Sequence, residues 1–264
     1  MKSRIKTAVI QMDCVPFDKE KNLGHAEELI AGAAAAGAEF IVLPELFSTG
    51  YRVEEKDAVL AEPVPGPTTE WMQGLAGRYG VCIAGAVMES CGGSIYDTAV
   101  ITGPEGLAGR YRKMHLWGTE PERFRRGCEL PVFSLPFGRV GLQICYEIGF
   151  PEQARVLALK GAQIIVYTSA FGKARDYAWN IASRSRALEN GVYVVACNRT
   201  GTEKDTVFGG LSRIVAPDSR VIAGTERDGE AVICAEIDLA EIEEQRKRIP
   251  YLRDLNKGLI IKGF

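Results

Sequence analysis

The chain has 264 residues, of which 46% are hydrophobic and 25% are charged, as in ordinary soluble globular proteins, and this composition excludes a disordered or collagen-like chain. Its 32 basic and 34 acidic residues give a formal net charge of −2, and no basic block stands out, which argues against nucleic acid or an anionic membrane as the main partner. No window approaches about 18 uninterrupted apolar residues, and no apolar stretch of signal-peptide length follows the first residues, so we expect a cytoplasmic protein without a membrane span.

Short β-rich runs alternate with amphipathic stretches along the first half of the chain. Residues 5–12 predict a strand, and Asp18 caps a predicted helix that Gly37 ends. A continuous apolar run predicts a buried strand over residues 40–43. A Pro-Gly-Pro-Thr loop then opens a helix, and the pattern continues with strands at 81–87, 99–101, 107–112 and 140–144 and a helix at 151–160.

The second half of the chain repeats a feature of the first. Residues 37–42 (GAEFIV) recur in form as residues 161–166 (GAQIIV), and each segment follows a helix and opens a buried strand. Two halves built from similar units predict two sheets packed face to face with helices outside. The plain alternative is that helix–glycine–strand joints simply look alike.

An amphipathic helix is predicted over residues 176–190, with Tyr177, Ile181 and Leu188 on its apolar face. Strands follow at 193–196, 212–215, 220–223 and 232–237. No Pro/Ser-rich linker divides the chain. We therefore expect a single α/β domain over residues 1–264, with a C-terminal arm from about residue 250.

Seven cysteines and two histidines bear on the metal chemistry of the chain. No two cysteines have the C-x-x-C spacing, and two histidines offer too few well-placed ligands for a zinc site. Cys82, Cys197 and Cys234 lie in apolar runs, which predicts ordinary buried thiols. We expect no metal, and a cysteine in a different setting becomes the one of interest.

Three side chains of complementary chemistry each follow a predicted strand directly: Glu45, Lys113 and Cys145. A strand end holds such a group on a rigid scaffold while the group faces a cleft. One such placement is weak evidence, because strand ends commonly carry polar residues. A carboxylate, an ammonium and a thiol together are more informative, since they supply a base, a fixed charge and a nucleophile.

The segments around these residues resemble a known family. Residues 43–47 (LPELF), 111–116 (YRKMHL) and 143–147 (QICYE) are similar in order and spacing to the three signature segments of the nitrilase superfamily, the carbon–nitrogen hydrolases. Supporting segments lie at 150–152, 186–190 and 210–212 and at Asn198 with Gly201. The resemblance implies an α–β–β–α sandwich of two stacked mixed sheets with outer helices, usually paired into a homodimer or higher homo-oligomer. It also implies hydrolysis of non-peptide C–N bonds without a metal or organic cofactor.

The three residues together have the chemistry of a thiol hydrolase. A free thiol titrates near about 8.5 and is mostly protonated at neutral pH, so Cys145 needs a base or a nearby cation. Glu45 can take its proton, and burial is expected to raise the pKa of this carboxyl toward a useful value. Lys113 would favour the thiolate and then stabilise the oxyanion, with the backbone N–H of Tyr146 as a second donor. Ammonia leaves, and water hydrolyses the resulting thioester.

Families of this kind often add a second carboxylate after the lysine, and Glu120 and Glu122 are the candidates. Glu120 fits the family's spacing better, because it lies seven residues after Lys113 and seven before Gly127. Its expected role is to orient Lys113 and the substrate amide. His115 is the rival base, since a Cys–His pair is a common way to activate a thiol. We favour a structural role for His115.

The candidates to line a substrate pocket are four aromatic residues that follow these motifs closely, Tyr51, Trp117, Tyr146 and Phe171, together with Ala170, which occupies the place after the echoed strand that Glu45 holds in the first half. A compact aromatic pocket suits a small-molecule substrate, although Tyr51 and Phe171 fit the core equally well. Residues 118–127 and 250–255 resemble amidase-type members, so we expect a thiol amidohydrolase acting on a small aliphatic primary amide. An N-carbamoyl-amine hydrolase and a nitrilase stay open within the class, and a non-catalytic binding protein on this scaffold is the alternative from another class.

Overall fold

In the computed structural model, which describes residues 3–226, 228–256 and 258, the strands pair into two six-stranded sheets and a two-stranded ribbon. The strands are β1 (Arg4–Gln11), β2 (Phe40–Val42), β3 (Cys82–Cys91), β4 (Ser94–Gly103), β5 (Gly106–Arg112), β6 (Val132–Leu135), β7 (Gly138–Ile144), β8 (Ile164–Ser169), β9 (Tyr193–Asn198), β10 (Thr202–Glu203), β11 (Thr206–Val207), β12 (Arg213–Val215), β13 (Val221–Gly224) and β14 (Ala231–Asp238). The helices are α1 (Lys19–Ala35), α2 (Asp57–Leu60), α3 (Pro67–Tyr79), α4 (Glu120–Arg123), α5 (Pro151–Leu159), α6 (Asp176–Asn190), α7 (Ala240–Arg248) and α8 (Tyr251–Asp254), and short 3₁₀ turns lie at Glu54–Lys56, Cys145–Gly149 and Lys173–Arg175.

The two large sheets repeat one plan. The first has the order β14-β1-β2-β3-β4-β5 and the second β13-β12-β9-β8-β7-β6. The three inner strands are parallel in each, β1–β3 in the first and β7–β9 in the second, and the flanking strands are antiparallel. The echoed segments open β2 and β8, the middle strands of these parallel triplets. The prediction of two stacked mixed sheets is confirmed.

Successive side chains of a strand point to opposite faces of its sheet. The buried apolar side chains therefore form one cluster between the two sheets and another beneath the outer helices. Phe40 and Val42 pack in a core that also contains side chains of the second sheet. Ile41, between them in sequence, packs in the cluster beneath α1 and α3. In α1 the buried side chains of Ala26 and Ile30 face this cluster. The helices therefore cover the outer faces of the sheets, and the strand ends are left to carry the site.

The buried face of α6 differs from the prediction. The helix has the predicted bounds and ends at Gly191, but Tyr177 and Ile181 are 70% and 67% exposed. The buried face carries Trp179 instead, whose indole N–H donates to the carbonyl of Leu211 at 2.9 Å. The other buried residues of this face include Ser183, Arg186 and Asn190, so an apolar period in the sequence does not identify it.

Several short elements escape the sequence patterns, because α4, β6 and the β10–β11 ribbon are too short for a periodic signal. The predicted C-terminal arm includes α8, while residue 257 and residues 259–264 lie outside the described residues. None of the described helices combines the length and apolar character that crossing a bilayer requires.

Candidate active site

Loops at the carboxyl ends of strands from both sheets bring the predicted reactive residues together. Glu45 lies beyond β2, Lys113 directly follows β5, and Cys145 directly follows β7. The backbone N–H of Glu45 reaches the carbonyl of Ser169 at the end of β8, 3.5 Å away, so the two sheets meet at this point. The site is thus positioned by the ends of rigid strands, as the sequence predicts.

Cys145 occupies a sharp turn between β7 and the 3₁₀ turn that it begins. Its φ is +47°, a left-handed conformation that costs a residue with a Cβ on the order of 1–3 kcal/mol. The residue is 3% exposed, and the hydrogen-bonding neighbours of its thiol are the carboxyl of Glu45 and the backbone of Ala170. Burial raises the pKa of Cys145 well above its ordinary value, and the charge of Lys113 only partly offsets this. Lys113 favours the thiolate, as the sequence predicts, but its charge does not outweigh burial, so the thiol needs a base.

Glu45 and Lys113 form a fully buried ion pair beside this thiol. Nζ of Lys113 lies 2.6 Å from Oε1 of Glu45, while Oε2 of Glu45 accepts a 2.6 Å hydrogen bond from the backbone N–H of Ala170. Burial alone would raise the pKa of Glu45, but the charge of Lys113 and hydrogen bonds with Asp97 and Lys113 bring it below its ordinary value. The predicted upward shift of this pKa is wrong, because the neighbours outweigh burial. Glu45 is ready to accept a proton.

The second carboxylate in contact with the lysine is Glu120. It begins α4, it is buried, and its Oε1 lies 2.8 Å from Nζ of Lys113. Tyr51 donates its hydroxyl to the same oxygen at 2.7 Å, and the backbone N–H of Trp117 donates to Oε2 at 2.7 Å. Glu122 is exposed on the same short helix. The geometry therefore favours Glu120 over Glu122, and Tyr51 holds this carboxylate in place.

Asp97, which the sequence reasoning missed, is a third buried acid at the lysine. Its Oδ2 is 3.3 Å from Nζ of Lys113, and carboxyl oxygens of Glu45, Asp97 and Glu120 lie within 4.8 Å of one another. Such spacing would suit a cation, and the ammonium of Lys113 is the cation that contacts all three, so we assign no metal ligands here. In the sequence, Asp97 is only an acidic residue within a strand-forming segment. The alternation of side chains along a strand does not show whether such a residue faces solvent or a buried site.

Glu147 joins the lysine segment to the cysteine segment. Its Oε1 accepts hydrogen bonds from the Tyr111 hydroxyl at 2.6 Å and from the backbone N–H groups of Met114 and His115 at 2.8 and 3.1 Å. Its Oε2 accepts from the backbone N–H of Ile144 at 2.8 Å. One buried side chain therefore sets the distance between the two reactive segments.

The ring of His115 contacts a neighbouring aromatic ring and a buried carboxylate. It stacks on Phe150 with 3.8 Å between ring centroids, and its Nδ1 lies 3.9 Å from Glu147. These contacts hold the imidazole against Phe150 and near Glu147, beside the reactive residues. The geometry agrees with a structural role for His115.

The predicted pocket residues lie around the thiol in different ways. The rings of Trp117 and Tyr146 pack 4.8 Å apart, and Trp117 is 38% exposed, so this pair reaches from the cysteine toward solvent. Ala170 contributes its backbone N–H to Glu45, and Phe171 is buried, with its own N–H donating to Asn198. Trp117 and Tyr146 are therefore better placed to contact a substrate than the buried Phe171.

Arg175 was not singled out by the sequence, yet it lies against two of the aromatic pocket candidates. Its guanidinium carbon is 3.8 Å from the ring centroid of Trp117 and 4.6 Å from that of Phe171. Within the described part of the chain, no carboxylate forms an ion pair with this guanidinium. A cation stacked on aromatic rings without a counter-charge is suited to bind an anionic group.

Comparisons with known proteins extend over nearly the whole chain. A family model described as carbon-nitrogen hydrolase matches residues 6–247. A nitrilase from Pyrococcus abyssi is 40% identical over 257 residues, covering 96% of each protein, and an omega-amidase from Xenopus laevis is 36% identical over 270 residues, covering 97% of each. Nit3 from Saccharomyces cerevisiae, a solved structure of the nitrilase superfamily, has a TM-score of 0.89 and 29% identity over 95% of this chain and 96% of that one.

Proposed function

Because this chain belongs to the carbon–nitrogen hydrolase family, we propose that it cleaves a small aliphatic primary amide to a carboxylate and ammonia through a thioester on Cys145. The observation that carries the proposal is the buried contact of one ammonium, Lys113, with two carboxylates, Glu45 and Glu120, beside the Cys145 thiol. Relatives named omega-amidase support an amide substrate, and the relative named nitrilase supports the alternative.

The first half of the proposed reaction forms the thioester. The Glu45 carboxylate takes the proton of the Cys145 thiol while the sulfur attacks the amide carbon. The carbonyl oxygen becomes an oxyanion that accepts hydrogen bonds from the ammonium of Lys113 and the backbone N–H of Tyr146. Protonated Glu45 then gives its proton to the amide nitrogen, the C–N bond breaks, and ammonia leaves.

The second half hydrolyses the thioester. Glu45 is again a carboxylate once ammonia has left, and it takes a proton from the attacking water. The new tetrahedral oxyanion uses the same donors as the first one. As it collapses, the C–S bond breaks, the Cys145 sulfur recovers a proton from Glu45, and the carboxylic acid product departs.

Glu120 provides a reason to prefer an amide over a nitrile. Its Oε1 already accepts from Lys113 and Tyr51, but Oε2 accepts only from Trp117 among the donors described, which leaves room for the N–H of a substrate amide. A nitrile nitrogen carries no hydrogen and cannot donate. The missing contact costs on the order of 1–3 kcal/mol, or roughly 5–150-fold in kcat/KM.

The test measures kcat/KM for propionamide, propionitrile and an N-carbamoyl amine in the wild type, in Glu120→Ala and in Glu122→Ala. We expect the wild type to prefer the amide and Glu120→Ala to lose most of both the amide rate and the preference. Glu122→Ala is the matched control, because this exposed carboxylate lies on the same helix. A wild type that prefers the nitrile or the carbamoyl compound would contradict the amide assignment and leave the thiol chemistry standing.

An amide that carries a carboxylate is a second candidate substrate, favoured by the guanidinium of Arg175, which forms no ion pair with a carboxylate among the described residues. We expect the wild type to hydrolyse succinamate with a lower KM than the neutral butyramide. Arg175→Gln should raise the KM for succinamate by about 10–100-fold and leave that for butyramide nearly unchanged, since only a charged hydrogen bond is lost. Lys173→Met is the control, because this nearby lysine pairs with Asp228 instead. Equal effects of Arg175→Gln on both amides would contradict this substrate class.

We further propose a homodimer formed through α5 and α6. These neighbouring helices leave apolar side chains exposed: Leu159 at 39%, Tyr177 at 70% and Ile181 at 67%. Exposed apolar patches mark interaction sites, and two-fold dimers, in which the same patch of each subunit meets its copy, are the commonest homo-oligomers. Light scattering should give twice the chain mass of 28.8 kDa or a multiple of that dimer, and Ile181→Asp should lower the mass. Val59→Asp, at an 82% exposed site on α2, should not, and a wild-type monomer at micromolar concentration would refute the dimer.

A further inference from the structure

The carboxyl group of Asp97 lies beside the Glu45–Lys113 pair and has no part in the steps proposed above. Asp97 extends from β4, its side chain is fully buried, and its Oδ2 is 3.3 Å from Nζ of Lys113. The backbone N–H of Lys113 donates to the carbonyl oxygen of Asp97 at 2.9 Å, so the two residues are fixed side by side. The carboxyl of Asp97 is therefore placed to act directly on the ammonium and on the base.

The charges of this cluster do not balance if every acid is ionised. Carboxyl oxygens of Glu45, Asp97 and Glu120 lie within 4.8 Å of one another, and Lys113 supplies a single ammonium. Burial, with nearby carboxylates adding to its effect, raises the pKa values of the other ionisable groups facing the cluster and keeps them neutral: the Cys145 thiol and the Tyr51 phenol. Three carboxylates would leave two uncompensated negative charges in a buried site, which is strongly disfavoured. At least one of the acids must hold a proton.

Hydrogen bonds identify the acid best suited to hold it. Both oxygens of Glu45 and both oxygens of Glu120 accept hydrogen bonds from N–H or O–H donors. By contrast, Oδ1 of Asp97 is buried and accepts a hydrogen bond from no described residue. A buried anionic oxygen without a donor is costly, whereas a protonated oxygen becomes a donor itself.

We propose that the Asp97 carboxyl is protonated in the resting enzyme and donates its O–H to Glu45, which it thereby holds in the ionised, proton-accepting form. Asp97 is a positioning residue, because it acts through Glu45, and its proton stays on Asp97 throughout. Burial raises the pKa of Asp97 well above its ordinary value, and the charge of Lys113 only partly offsets the rise. The hydrogen bond from Asp97 in turn lowers the pKa of Glu45. The inference rests on the proposed function for its kinetic test only.

The kinetic test follows the acid limb of the pH profile of kcat/KM for propionamide in the wild type, Asp97→Asn and Asp97→Ala. The amide of Asp97→Asn is neutral and keeps a donor, so its acid limb should stay within about 0.3 pH units of the wild type. Asp97→Ala lacks the donor, which raises the pKa of Glu45, and its acid limb should move up by about one unit. A downward shift of about one unit in Asp97→Asn would overturn the proposal, because it would mean that a negative charge had been removed.

An infrared measurement tests protonation without any substrate, so it gives an answer even if no amide is hydrolysed. The wild type at neutral pH should show the C=O band of a protonated carboxylic acid, and Asp97→Asn should lose it. Glu147→Gln is the matched control, because Glu147 is another buried acid whose pKa burial raises. The band should persist in that variant. A wild type without the band, or a band lost in Glu147→Gln and kept in Asp97→Asn, overturns the proposal. If both Asp97 variants fail to fold, the wild type and Glu147→Gln decide it: a band that survives in the latter supports protonated Asp97, and its loss refutes it.

Discussion

Replacement of Cys145 by Ala is expected to abolish amide hydrolysis, with a fall in kcat of at least about 10⁴-fold, because the nucleophile that forms the thioester is lost. The fold should survive, since Ala fills nearly the same buried space and both residues carry the same Cβ in the left-handed turn. Ammonia release and circular dichroism of the variant measure the two effects. Cys128→Ala, which removes an exposed thiol, should behave as the wild type.

The thioester itself gives a more direct measurement. Mass spectrometry of the wild type quenched during turnover should show one added acyl group, and peptide mapping should place it on Cys145. The adduct should be absent in Cys145→Ala and present in Cys128→Ala. Wild-type turnover by Cys145→Ala would rule out covalent catalysis through this residue, whatever the identity of the substrate.

Glu45→Gln is expected to lower kcat by about 10²–10⁴-fold, the usual effect of losing acid–base catalysis. Both oxygens of Glu45 accept hydrogen bonds from N–H donors, so the amide NH₂ of the variant must also face a donor, at Lys113 or at Ala170. We therefore expect some loss of thermal stability as well, and kcat should be compared well below the transition temperature.

The matched comparison for Glu45→Gln is His115→Ala. The imidazole stacks on Phe150 and lies near Glu147, so its removal should affect stability more than kcat. Because the pKa of Glu45 lies below its ordinary value, the base should stay ionised, and kcat/KM should fall only at a pH below the usual carboxyl range. A nearly silent Glu45→Gln together with a strongly impaired His115→Ala would move the assignment to a Cys–His hydrolase.

The sequence predicted the framework well because its signals are local. Gly37 and Gly191 end helices through left-handed backbone, and Asp18 caps α1 with its side chain, so these boundaries depend on single residues. The similar segments that open β2 and β8 are also local signals, because each is a short helix–glycine–strand connection. The outward face of α6 could not be predicted in this way, because the direction in which Tyr177 points depends on what the rest of the chain places beneath the helix.

The residues of the site also divide into those that a local sequence signal identifies and those that only the fold brings into place. Glu45, Lys113 and Cys145 stand out because each follows a strand within a recognisable segment. Asp97 is brought to Lys113 only by the pairing of β4 with β5, which sequence spacing does not reveal. The pKa of Glu45 was predicted in the wrong direction for the same reason, since its value depends on charges that arrive from distant parts of the chain.

The position of Glu147 makes the two reactive segments a single cooperative unit. Donors from the lysine segment, at Met114 and His115, and from the cysteine segment, at Ile144, end on the same buried carboxylate. If either segment opened locally, it would leave part of this anion unsatisfied and weaken the restraint on the other. The nucleophile and the oxyanion cation therefore keep their separation as long as this edge of the fold persists, and they lose it together when the edge melts.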